Sequence, residues 1–424
     1  MDMFVVQGRR RLAGEIAVNG AKNEVLKLLP ACVLIPGAVH LTNVPIIQGV
    51  RVMVELINAL GGTATLDEAN HTLDVDARGI RETRLPDALV TQERGTAVFA
   101  GPMLARFGEV TIHHPGGDVI GERPLDLLLD GLASLGAKVA TDDRTYKLSG
   151  RLRGGRFVFK KISWTVTENL MLAATLGGGT TELINAALRP EVVALADFLN
   201  AHGARIPGAG TPTIRIEGVK ELRTNGNQIA VMPDRFEAGT FACLAALTNS
   251  DVKITHCNPR DMEVFLKVLE LTGAKIERGD DYLHLKKHKG LRATDVVTHE
   301  YPGLNTDYQA PLTLLLTQAT GVSLVHETIF EGRLFFTDKL KQMGARIIMA
   351  DPHRVIVEGP SQLTGRKIIS PDLRAGIVLV MAGLIAEGTT TIGNIYQIER
   401  GYERIDERLR ALGADIQRVS ADKF

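Results

Sequence analysis

The sequence predicts an α/β protein of two similar domains, each made of three copies of one repeated unit. The first observation is a set of six glycines, each of which ends an amphipathic segment before an extended run: Gly61, Gly136, Gly203, Gly273, Gly344 and Gly413. Successive glycines are 75, 67, 70, 71 and 69 residues apart, which is too regular for chance and too long for a short solenoid repeat. The second observation is the length of 424 residues, which favours two hydrophobic cores over one.

Every repeat shows the same predicted order of elements. It begins with a helix that is apolar on all sides and is therefore expected to be buried. The six predicted interior helices are Asn23–Leu34, Arg94–Ala105, Thr167–Leu176, Glu237–Leu247, Asp307–Leu316 and Arg374–Ile385. A short alternating strand such as Val110–His113 comes next, followed by an amphipathic helix such as Leu125–Leu135 or Tyr402–Leu412. The glycine ends that helix, and a strand pair such as Ile276–Arg278 with Tyr282–Leu285 closes the repeat.

The composition argues against several classes of partner. Basic and acidic side chains number 49 each, so no net field would attract nucleic acid or an anionic membrane. Cys32, Cys243 and Cys257 lack metal-ligand spacing, and we interpret them as buried thiols in a reducing compartment. No signal peptide is visible, and the longest apolar run, Ala375–Ala386, is shorter than the roughly 20 residues that span a bilayer. We expect a cytoplasmic protein without a metal, a nucleic-acid partner or a membrane partner.

Basic residues stand at positions that a helix macrodipole disfavours. A cation near a helix N-terminus is unfavourable unless an anion lies between the two. Four such cations stand at the predicted interior helices: Lys22, Arg94, Arg235 and Arg374. A second set precedes each repeat glycine by 10 to 14 residues: Arg51, Arg123, Arg189, Arg260, Arg333 and Arg400. Taken together, the sets favour a cleft that holds a phosphate or carboxylate. The alternative is pairing with local acids such as Glu191, Glu331 and Glu399 on a solvated surface.

A glycine-rich loop, Pro115–Pro124, contains three glycines around Asp118. Such a loop can move and bring a side chain close to a ligand. The alternative is a surface turn in which Asp118 bonds its own backbone.

These motifs resemble the enolpyruvyl transferases from one end of the chain to the other. The resemblance rests on Gly20-Ala21-Lys22-Asn23, Pro115-Gly116-Gly117, Gly121-Glu122-Arg123-Pro124, Asp372-Leu373-Arg374-Ala375 and Ile398-Glu399-Arg400-Gly401-Tyr402-Glu403-Arg404-Ile405. It implies an inside-out α/β barrel in each of two domains. Residues 22–230 would form one domain and residues 1–21 plus 231–424 the other, with a substrate cleft and a hinge between them.

The resemblance also implies a reaction. The enolpyruvyl group of phosphoenolpyruvate would pass to the 3-hydroxyl of UDP-N-acetylglucosamine, with release of phosphate, in peptidoglycan precursor synthesis. No cofactor is implied, and we expect a monomer or a weak homo-oligomer. Two alternatives stay open: enolpyruvyl transfer to shikimate 3-phosphate, and a non-catalytic paralogue that binds a nucleotide sugar.

Site residues follow from the same motif match. Lys22, Arg123 and Arg400 would meet the phosphate, and Arg333 and Arg374 the carboxylate. Asp307 would take the hydroxyl proton, although it could be a plain helix cap. Arg94 would support the nucleotide sugar, and Asn23 would help to place both substrates. Asp118, Asp307, Lys22 and Arg400 are the expected catalytic residues. The remaining expected substrate contacts are Pro124, Leu125, Asp126, Leu127, Lys161, Ser163, Trp164 and Ile329.

Some positions depart from the family pattern. Most members have cysteine where this chain has Asp118, so we expect a general acid there, no stable thioether adduct and no inactivation by the epoxide fosfomycin. Trp164 and Thr165 replace smaller residues. Trp164 could stack on uracil or fill a gap between helices, and gap filling is favoured. The other departures are Leu128, Gly49 and Arg51.

Overall fold

The computed structural model describes residues 2–117, 120–121, 124–224, 226 and 228–420. Two predicted site residues, Asp118 and Arg123, lie outside these described residues. The strands are β1 Asp2–Gln7, β2 Ala13–Ala17, β3 Ala38–Thr42, β4 Thr63–Asp67, β5 Thr72–Asp76, β6 Glu109–His113, β7 Lys138–Thr141, β8 Thr145–Ser149, β9 Arg156–Val158, β10 Thr180–Ile184, β11 Thr213–Glu217, β12 Gln228–Ala230, β13 Asp251–Thr255, β14 Lys275–Arg278, β15 Tyr282–Lys286, β16 Val296–Val297, β17 Gly321–His326, β18 Arg346–Asp351, β19 Arg354–Gly359, β20 Lys367–Ile369, β21 Thr389–Gly393 and β22 Asp415–Ser420.

Helices alternate with these strands along the chain. The α-helices are α1 Lys22–Cys32, α2 Gln48–Ala59, α3 Asp87–Val90, α4 Ala100–Phe107, α5 Asp126–Ser134, α6 Trp164–Thr175, α7 Pro190–Ala201, α8 Arg235–Leu247, α9 Glu263–Leu271, α10 Gln309–Leu316, α11 Thr337–Gln342, α12 Leu373–Ile385, α13 Tyr396–Glu399 and α14 Ile405–Ala411. Short 3₁₀ helices occupy Arg94–Phe99, Pro259–Met262 and Thr306–Tyr308. None of the helices formed by the described residues is both long and apolar enough to cross a membrane.

The described chain divides into two compact units. The central unit comprises residues 20–117, 124–224, 226 and 228–232. The terminal unit comprises residues 2–19, 120–121 and 233–420. Each unit has a hydrophobic core of its own.

Each unit contains three small sheets in the part of the chain that the structure describes. The strand orders in the central unit are β12-β3-β5-β4, β6-β8-β7 and β11-β10-β9. The strand orders in the terminal unit are β14-β15-β13-β2, β16-β17-β19-β18 and β20-β21-β1-β22. Five of these six sheets are mixed, because each contains one parallel strand pair beside antiparallel pairs, whereas β6-β8-β7 is antiparallel throughout. Thus β9 runs parallel to β10 across α6, and β20 runs parallel to β21 across α12.

Strands from distant parts of the chain complete two of the sheets. β12 pairs in parallel with β3, which lies near the other end of the central unit. β2 pairs in parallel with β13 in the terminal unit. β1 lies between β21 and β22 and is antiparallel to both. The repeats of each unit are therefore closed by segments that the sequence places far apart.

The predicted interior helices are confirmed as the buried elements of both units. In α12, Val378, Leu379, Val380 and Met381 have no exposed surface. Because these side chains cover more than one side of the helix, α12 is enclosed by other elements. Two of the predicted interior helices begin as 3₁₀ turns, at Arg94–Phe99 and Thr306–Tyr308, before they continue as α4 and α10.

The six repeat glycines all adopt the left-handed conformation expected after a helix. Their φ angles lie between 94° at Gly273 and 108° at Gly344. A side chain at such a φ would strain the backbone, which explains why glycine stands there in every repeat. The predicted strand pair that closes the fourth repeat is also confirmed, with Arg278 opposite Leu283.

The predicted helix Tyr402–Leu412 was wrong at its start. The helix α14 begins only at Ile405, and Tyr402 lies in the turn before it. Arg404 has a φ of 40°, in the left-handed region, so a right-handed helix cannot continue through it. The apolar spacing of Tyr402, Ile405 and Leu409 looks helical, but the Tyr402 ring reaches the core from a turn.

Candidate active site

Asp307 lies in the 3₁₀ turn that leads into α10 in the terminal unit. Its backbone N–H donates to the side chain of Asn305 at 3.0 Å, so Asn305 is the N-cap residue of this turn. The Asp307 carboxylate points elsewhere, towards two arginines. The sequence could not separate a cap from a functional carboxylate here, because both stand at a helix start.

The Asp307 carboxylate lies between Arg333 and Arg374. Arg333 Nη2 donates to Asp307 Oδ1 at 2.5 Å, and Arg374 Nε donates to the same oxygen at 3.4 Å. The three side chains are only 14%, 7% and 8% exposed for Asp307, Arg333 and Arg374, respectively. Water therefore screens this group weakly, and its charges interact strongly with one another and with any ligand.

Helix starts fix the Arg374 side of this group. Arg374 is the second residue of α12, and its backbone N–H donates to Asp372 at 2.8 Å. Burial disfavours the charged guanidinium, but the charges of Asp307 and Asp234 and the hydrogen bond to Tyr402 outweigh it, so the pKa of Arg374 is raised. Arg374 therefore stays cationic. Burial raises the pKa of Asp234, although the charge of Arg374 opposes this shift.

A second buried carboxylate, Glu327, holds the segments around Asp307 together. Its oxygens accept from Ile329 N at 2.8 Å, from Phe330 N at 3.2 Å and from the Thr306 hydroxyl at 2.8 Å. The predicted contact residue Ile329 is buried on this turn. Sequence reasoning missed Glu327, because its link to the Asp307 turn is the contact with Thr306, 21 positions away in the chain.

Arg400 is buried in the same unit but bonds elsewhere. It caps the C-terminus of α13, and its Nη1 donates to Gln397 at 3.1 Å. Only 5% of its surface is exposed.

Lys22 opens α1 in the central unit. Its Nζ lies 3.8 Å from Glu93 Oε2, and both residues are buried. Glu93 also accepts from Gly95 N at 3.2 Å and thereby caps the 3₁₀ turn that begins at Arg94. The glutamate explains how a cation is tolerated at the start of α1, because it supplies the anion that the macrodipole argument requires. Asn23 follows Lys22 and is half-buried.

Arg94 and Asp126 both act on Tyr146 in the central unit. The pKa of Tyr146 is raised by burial and by the charge of Asp126, and Arg94 opposes the shift. The Tyr146 hydroxyl also lies 3.0 Å from His114 Nδ1. Among the other predicted contacts in this segment, Pro124 is exposed, Leu125 is buried and Leu127 is half-buried.

Trp164 begins α6 and packs at the edge of the central core. The guanidinium carbon of Arg189 lies 3.6 Å from the centre of its ring, a cation–π distance. One face of the indole is therefore covered by a residue of this chain, as gap filling requires. Ser163 caps the helix by accepting from Val166 N at 3.4 Å, and Lys161 is exposed.

The repeated arginines do not share one environment. Arg51 and Arg260 have side chains 39% and 81% exposed, and they pair with Glu68 at 2.8 Å and with Asp280 at 3.5 Å. For these two arginines the expectation of an anion-filled cleft was wrong, because both side chains are exposed to solvent and pair with local acids. The described members that are buried are Arg189, Arg333 and Arg400.

Comparisons with known proteins agree with this architecture. The family model of EPSP synthase (3-phosphoshikimate 1-carboxyvinyltransferase) matches residues 6–409. A relative from Desulforapulum autotrophicum named UDP-N-acetylglucosamine 1-carboxyvinyltransferase is 42% identical, with 99% of this chain and all of the relative covered. A relative of the same name from Magnetococcus marinus is 44% identical, with the same coverage of 99% and 100%.

Solved structures show the same fold. The enolpyruvyl transferase NikO from Streptomyces tendae is 25% identical, with a TM-score of 0.89 and 99% of each chain covered. EPSP synthase from Acinetobacter baumannii is 18% identical, with a TM-score of 0.77 and 99% and 100% of the two chains covered, so it supports the fold alone. The repeat architecture, the full-length family match and these relatives lead to one conclusion: the chain belongs to the EPSP synthase family of enolpyruvyl transferases.

Proposed function

We propose that this protein transfers the enolpyruvyl group of phosphoenolpyruvate to the 3-hydroxyl of UDP-N-acetylglucosamine and releases phosphate. The observation that carries the proposal is the half-buried Asp307 carboxylate between two guanidinium groups. A base beside fixed cations suits the deprotonation of a hydroxyl next to an anionic partner. The choice of acceptor rests on the names of relatives that are 41–44% identical over nearly the whole chain.

The reaction makes and breaks a small set of bonds. The hydroxyl oxygen bonds to C2 of phosphoenolpyruvate, while a proton adds to C3 and turns the methylene into a methyl group. The tetrahedral adduct then loses phosphate from C2 and a proton from the methyl group, which restores the double bond. The enzyme must therefore hold a phosphate and a carboxylate, accept the hydroxyl proton, and give and take a proton at C3.

We assign these tasks to the residues of both units. Asp307 accepts the hydroxyl proton, and Arg333 and Arg374 bind the carboxylate of phosphoenolpyruvate, because a planar guanidinium matches a carboxylate. The proposed phosphate ligands are Lys22, Arg123 and Arg400. Asp118 is the proposed proton donor at C3.

The acceptor-side assignments rest on the motif match and on position. Arg94 supports the nucleotide sugar, and Asn23 helps to place both substrates. The remaining proposed contacts are Pro124, Leu125, Asp126, Leu127, Lys161, Ser163, Trp164 and Ile329. Arg189 covers one face of the Trp164 ring, so any stacking on the uracil would use the opposite face.

We place the reaction in the cytoplasm, where its proposed product enters peptidoglycan precursor synthesis. The cysteines support this placement, since all three are buried and unpaired by disulfides. Burial raises the pKa of Cys32 to about 12 and that of Cys257 to about 11. These groups therefore stay protonated thiols and resist oxidation.

The test is phosphate release from phosphoenolpyruvate with UDP-N-acetylglucosamine, with shikimate 3-phosphate or with no acceptor. We expect release with the nucleotide sugar alone and new vinyl protons in the NMR spectrum of the product. Asp307→Asn should lower kcat by about 10² to 10⁴. Asp338→Asn is the matched control, since Asp338 is an exposed acid of the same unit that pairs with Lys341. Binding of the nucleotide sugar without phosphate release would favour the non-catalytic alternative.

A second test addresses Asp118. An epoxide that alkylates a thiol should leave this enzyme active, because a carboxylate is the poorer nucleophile towards carbon. We expect no time-dependent loss of activity with fosfomycin in the wild type and a progressive loss in Asp118→Cys. Inactivation of the wild type would contradict the assignment.

A further inference from the structure

Tyr402 belongs to the motif around Arg400 but has no part in the reaction proposed above. It lies in the turn between α13 and α14, in a stretch that is otherwise mostly charged. Its side chain is fully buried and, with Tyr308, is among the largest such side chains in the described chain. A buried phenol oxygen is costly unless it is hydrogen-bonded, so its partners indicate why a tyrosine stands there.

The partners of Tyr402 fix the direction of its hydrogen bonds. The Thr240 hydroxyl donates its one hydrogen to Phe236 O, one helical turn earlier, at 2.9 Å. The Thr240 oxygen, which lies 2.8 Å from the Tyr402 oxygen, must then accept from the phenol. The phenol oxygen in turn accepts from Arg374 Nη1 at 3.0 Å. Hydrogen bonds are thus donated from Arg374 to Tyr402, from Tyr402 to Thr240, and from Thr240 to the backbone of α8.

This chain of bonds orients the Arg374 guanidinium. Nη1 is held by Tyr402 and Nε points at Asp307, so the plane of the group is set by two contacts on different nitrogens. Neither contact uses Nη2. Since a carboxylate is recognised by a guanidinium only when the two planes align, the orientation of Arg374 bears directly on ligand binding.

Simple core filling does not account for the oxygen. A phenylalanine would fill the same space and leave no buried hydroxyl to satisfy. Burial also raises the pKa of Tyr402, so the group stays a neutral phenol that can both accept from Arg374 and donate to Thr240.

We propose that Tyr402 is a positioning residue that holds the Arg374 guanidinium in the orientation that binds the carboxylate of phosphoenolpyruvate. The proposal rests on the function proposed above. Tyr402 touches no reacting atom and acts only through Arg374.

The test is the steady-state kinetics of Tyr402→Phe, which removes one oxygen and keeps the ring. We expect the KM for phosphoenolpyruvate to rise about 10- to 100-fold, as for the loss of a hydrogen bond to a charged group. We expect kcat and the KM for UDP-N-acetylglucosamine to change less than about threefold, because only binding of one substrate is weakened. A merely structural phenol would lower the melting temperature and leave both KM values unchanged, which would overturn the proposal.

Tyr308→Phe is the matched control. Tyr308 is a buried tyrosine of the same unit whose hydroxyl donates to a backbone oxygen, that of Arg235, at 3.2 Å. Its loss should leave the KM for phosphoenolpyruvate unchanged. An equal rise in both variants would mean that any buried phenol matters, which contradicts the specific role of Tyr402.

Substitutions of Thr240 test the same proposal without altering the tyrosine. Thr240→Val removes the acceptor of the phenol and should raise the same KM in the same direction but less. Thr240→Ser keeps the hydroxyl and should restore it. If Tyr402→Phe does not fold, these two variants decide: equal KM values for valine and serine would overturn the proposal.

A measurement without turnover separates this proposal from the proposed function. The ¹⁵N signals of arginine side chains report hindered rotation of a guanidinium, and Arg374→Lys identifies the Arg374 signals. We expect hindered rotation in the wild type and free rotation in Tyr402→Phe. If the wild type releases no phosphate with UDP-N-acetylglucosamine, the proposed function fails while this readout still tests the orientation of Arg374. Signals that are the same in both proteins would overturn the positioning role.

Discussion

The first turns of α1 and α8 are two copies of one arrangement that differ in their charged neighbours. Each helix carries a buried glutamate at its third position, Glu24 in the central unit and Glu237 in the terminal unit. Glu24 accepts from Met232 N at 2.5 Å, and Glu237 accepts from Asn19 N at 2.8 Å. Asn19 and Met232 are the residues at which the chain leaves one unit for the other.

The neighbours of the two glutamates differ. Arg408 donates to both oxygens of Glu237, at 2.6 and 3.0 Å. Among the described residues, no cation pairs with Glu24, and burial raises its pKa to about 8 although the bond from Met232 opposes the shift. Near neutral pH, Glu24 is therefore mostly a neutral acid, whereas Glu237 is bonded to a cation. The shared third position of the two helices determines the backbone hydrogen bond that the glutamate accepts, whereas the neighbouring residues determine whether the glutamate is charged.

The largest expected effect comes from removing the cation beside Glu237. Arg408→Met leaves a buried carboxylate without its partner, which costs about 3 to 5 kcal/mol in the free energy of unfolding. Urea denaturation at pH 7 measures it. Arg410→Met is the control on the same helix, because Arg410 is 42% exposed and its partner Asp406 keeps Arg418 at 3.3 Å. We expect less than about 1 kcal/mol there. Equal losses would contradict the buried-pair assignment.

The next effect depends on pH and concerns Glu24. A glutamate with a raised native pKa binds more protons when folded than when unfolded, so stability is lost as the pH rises from about 4.5 towards 8. Glu24→Gln keeps an acceptor for Met232 N and cannot ionise. The free energy of unfolding of the variant should therefore rise relative to that of the wild type by roughly 3 kcal/mol between pH 5 and pH 8, since one pKa unit corresponds to about 1.4 kcal/mol. Urea unfolding at several pH values tests this.

Glu237→Gln is the matched control for that pH series. It leaves the half-buried Arg408 without its carboxylate, so the variant should be less stable than the wild type at both ends of the range. The comparison between the two helices breaks down if both glutamine variants respond to pH in the same way.

The smallest effect concerns the helix caps. Asp234 caps α8 by accepting from Phe236 N at 2.8 Å and Glu237 N at 3.1 Å, while Ala21 at the start of α1 provides no side-chain cap. Asp234→Ala should cost about 1 to 2 kcal/mol in thermal or urea unfolding. Asp234→Asn keeps the acceptor and should recover most of that loss. Equal losses in the two variants would mean that the charge of Asp234, rather than its cap, matters.

Local signals made much of the fold predictable. The sequence signals for a helix-ending glycine such as Gly344, or for an apolar helix such as α12, lie within one or two helical turns of the element itself. The repeat could therefore be derived from the sequence. The start of α14 could not, because the left-handed conformation of Arg404 leaves no trace in an arginine. Arginine burial was also hidden, since Arg260 and Arg333 occupy the same place in their repeats and differ only in tertiary contacts.

The site was predictable only in part, because some of its residues depend on tertiary contacts that the sequence does not reveal. The cations stood out because they oppose a helix dipole, and the structure brings Asp307, Arg333 and Arg374 together. Glu327 and Tyr402 gave no such signal, since each acts through partners that are distant in the chain, Thr306 for Glu327 and Arg374 with Thr240 for Tyr402.

The central place of β1 between β21 and β22 has a consequence for synthesis on the ribosome. The segment made first needs both of its neighbours from the segment made last, and β2 likewise waits for β13. The central unit lies wholly between them in the sequence and can finish folding while these two strands are still unpaired. Chain elongation thus imposes an order of assembly, in which β2 stays open to wrong pairing until β13 has emerged and β1 until β21 and β22 have emerged.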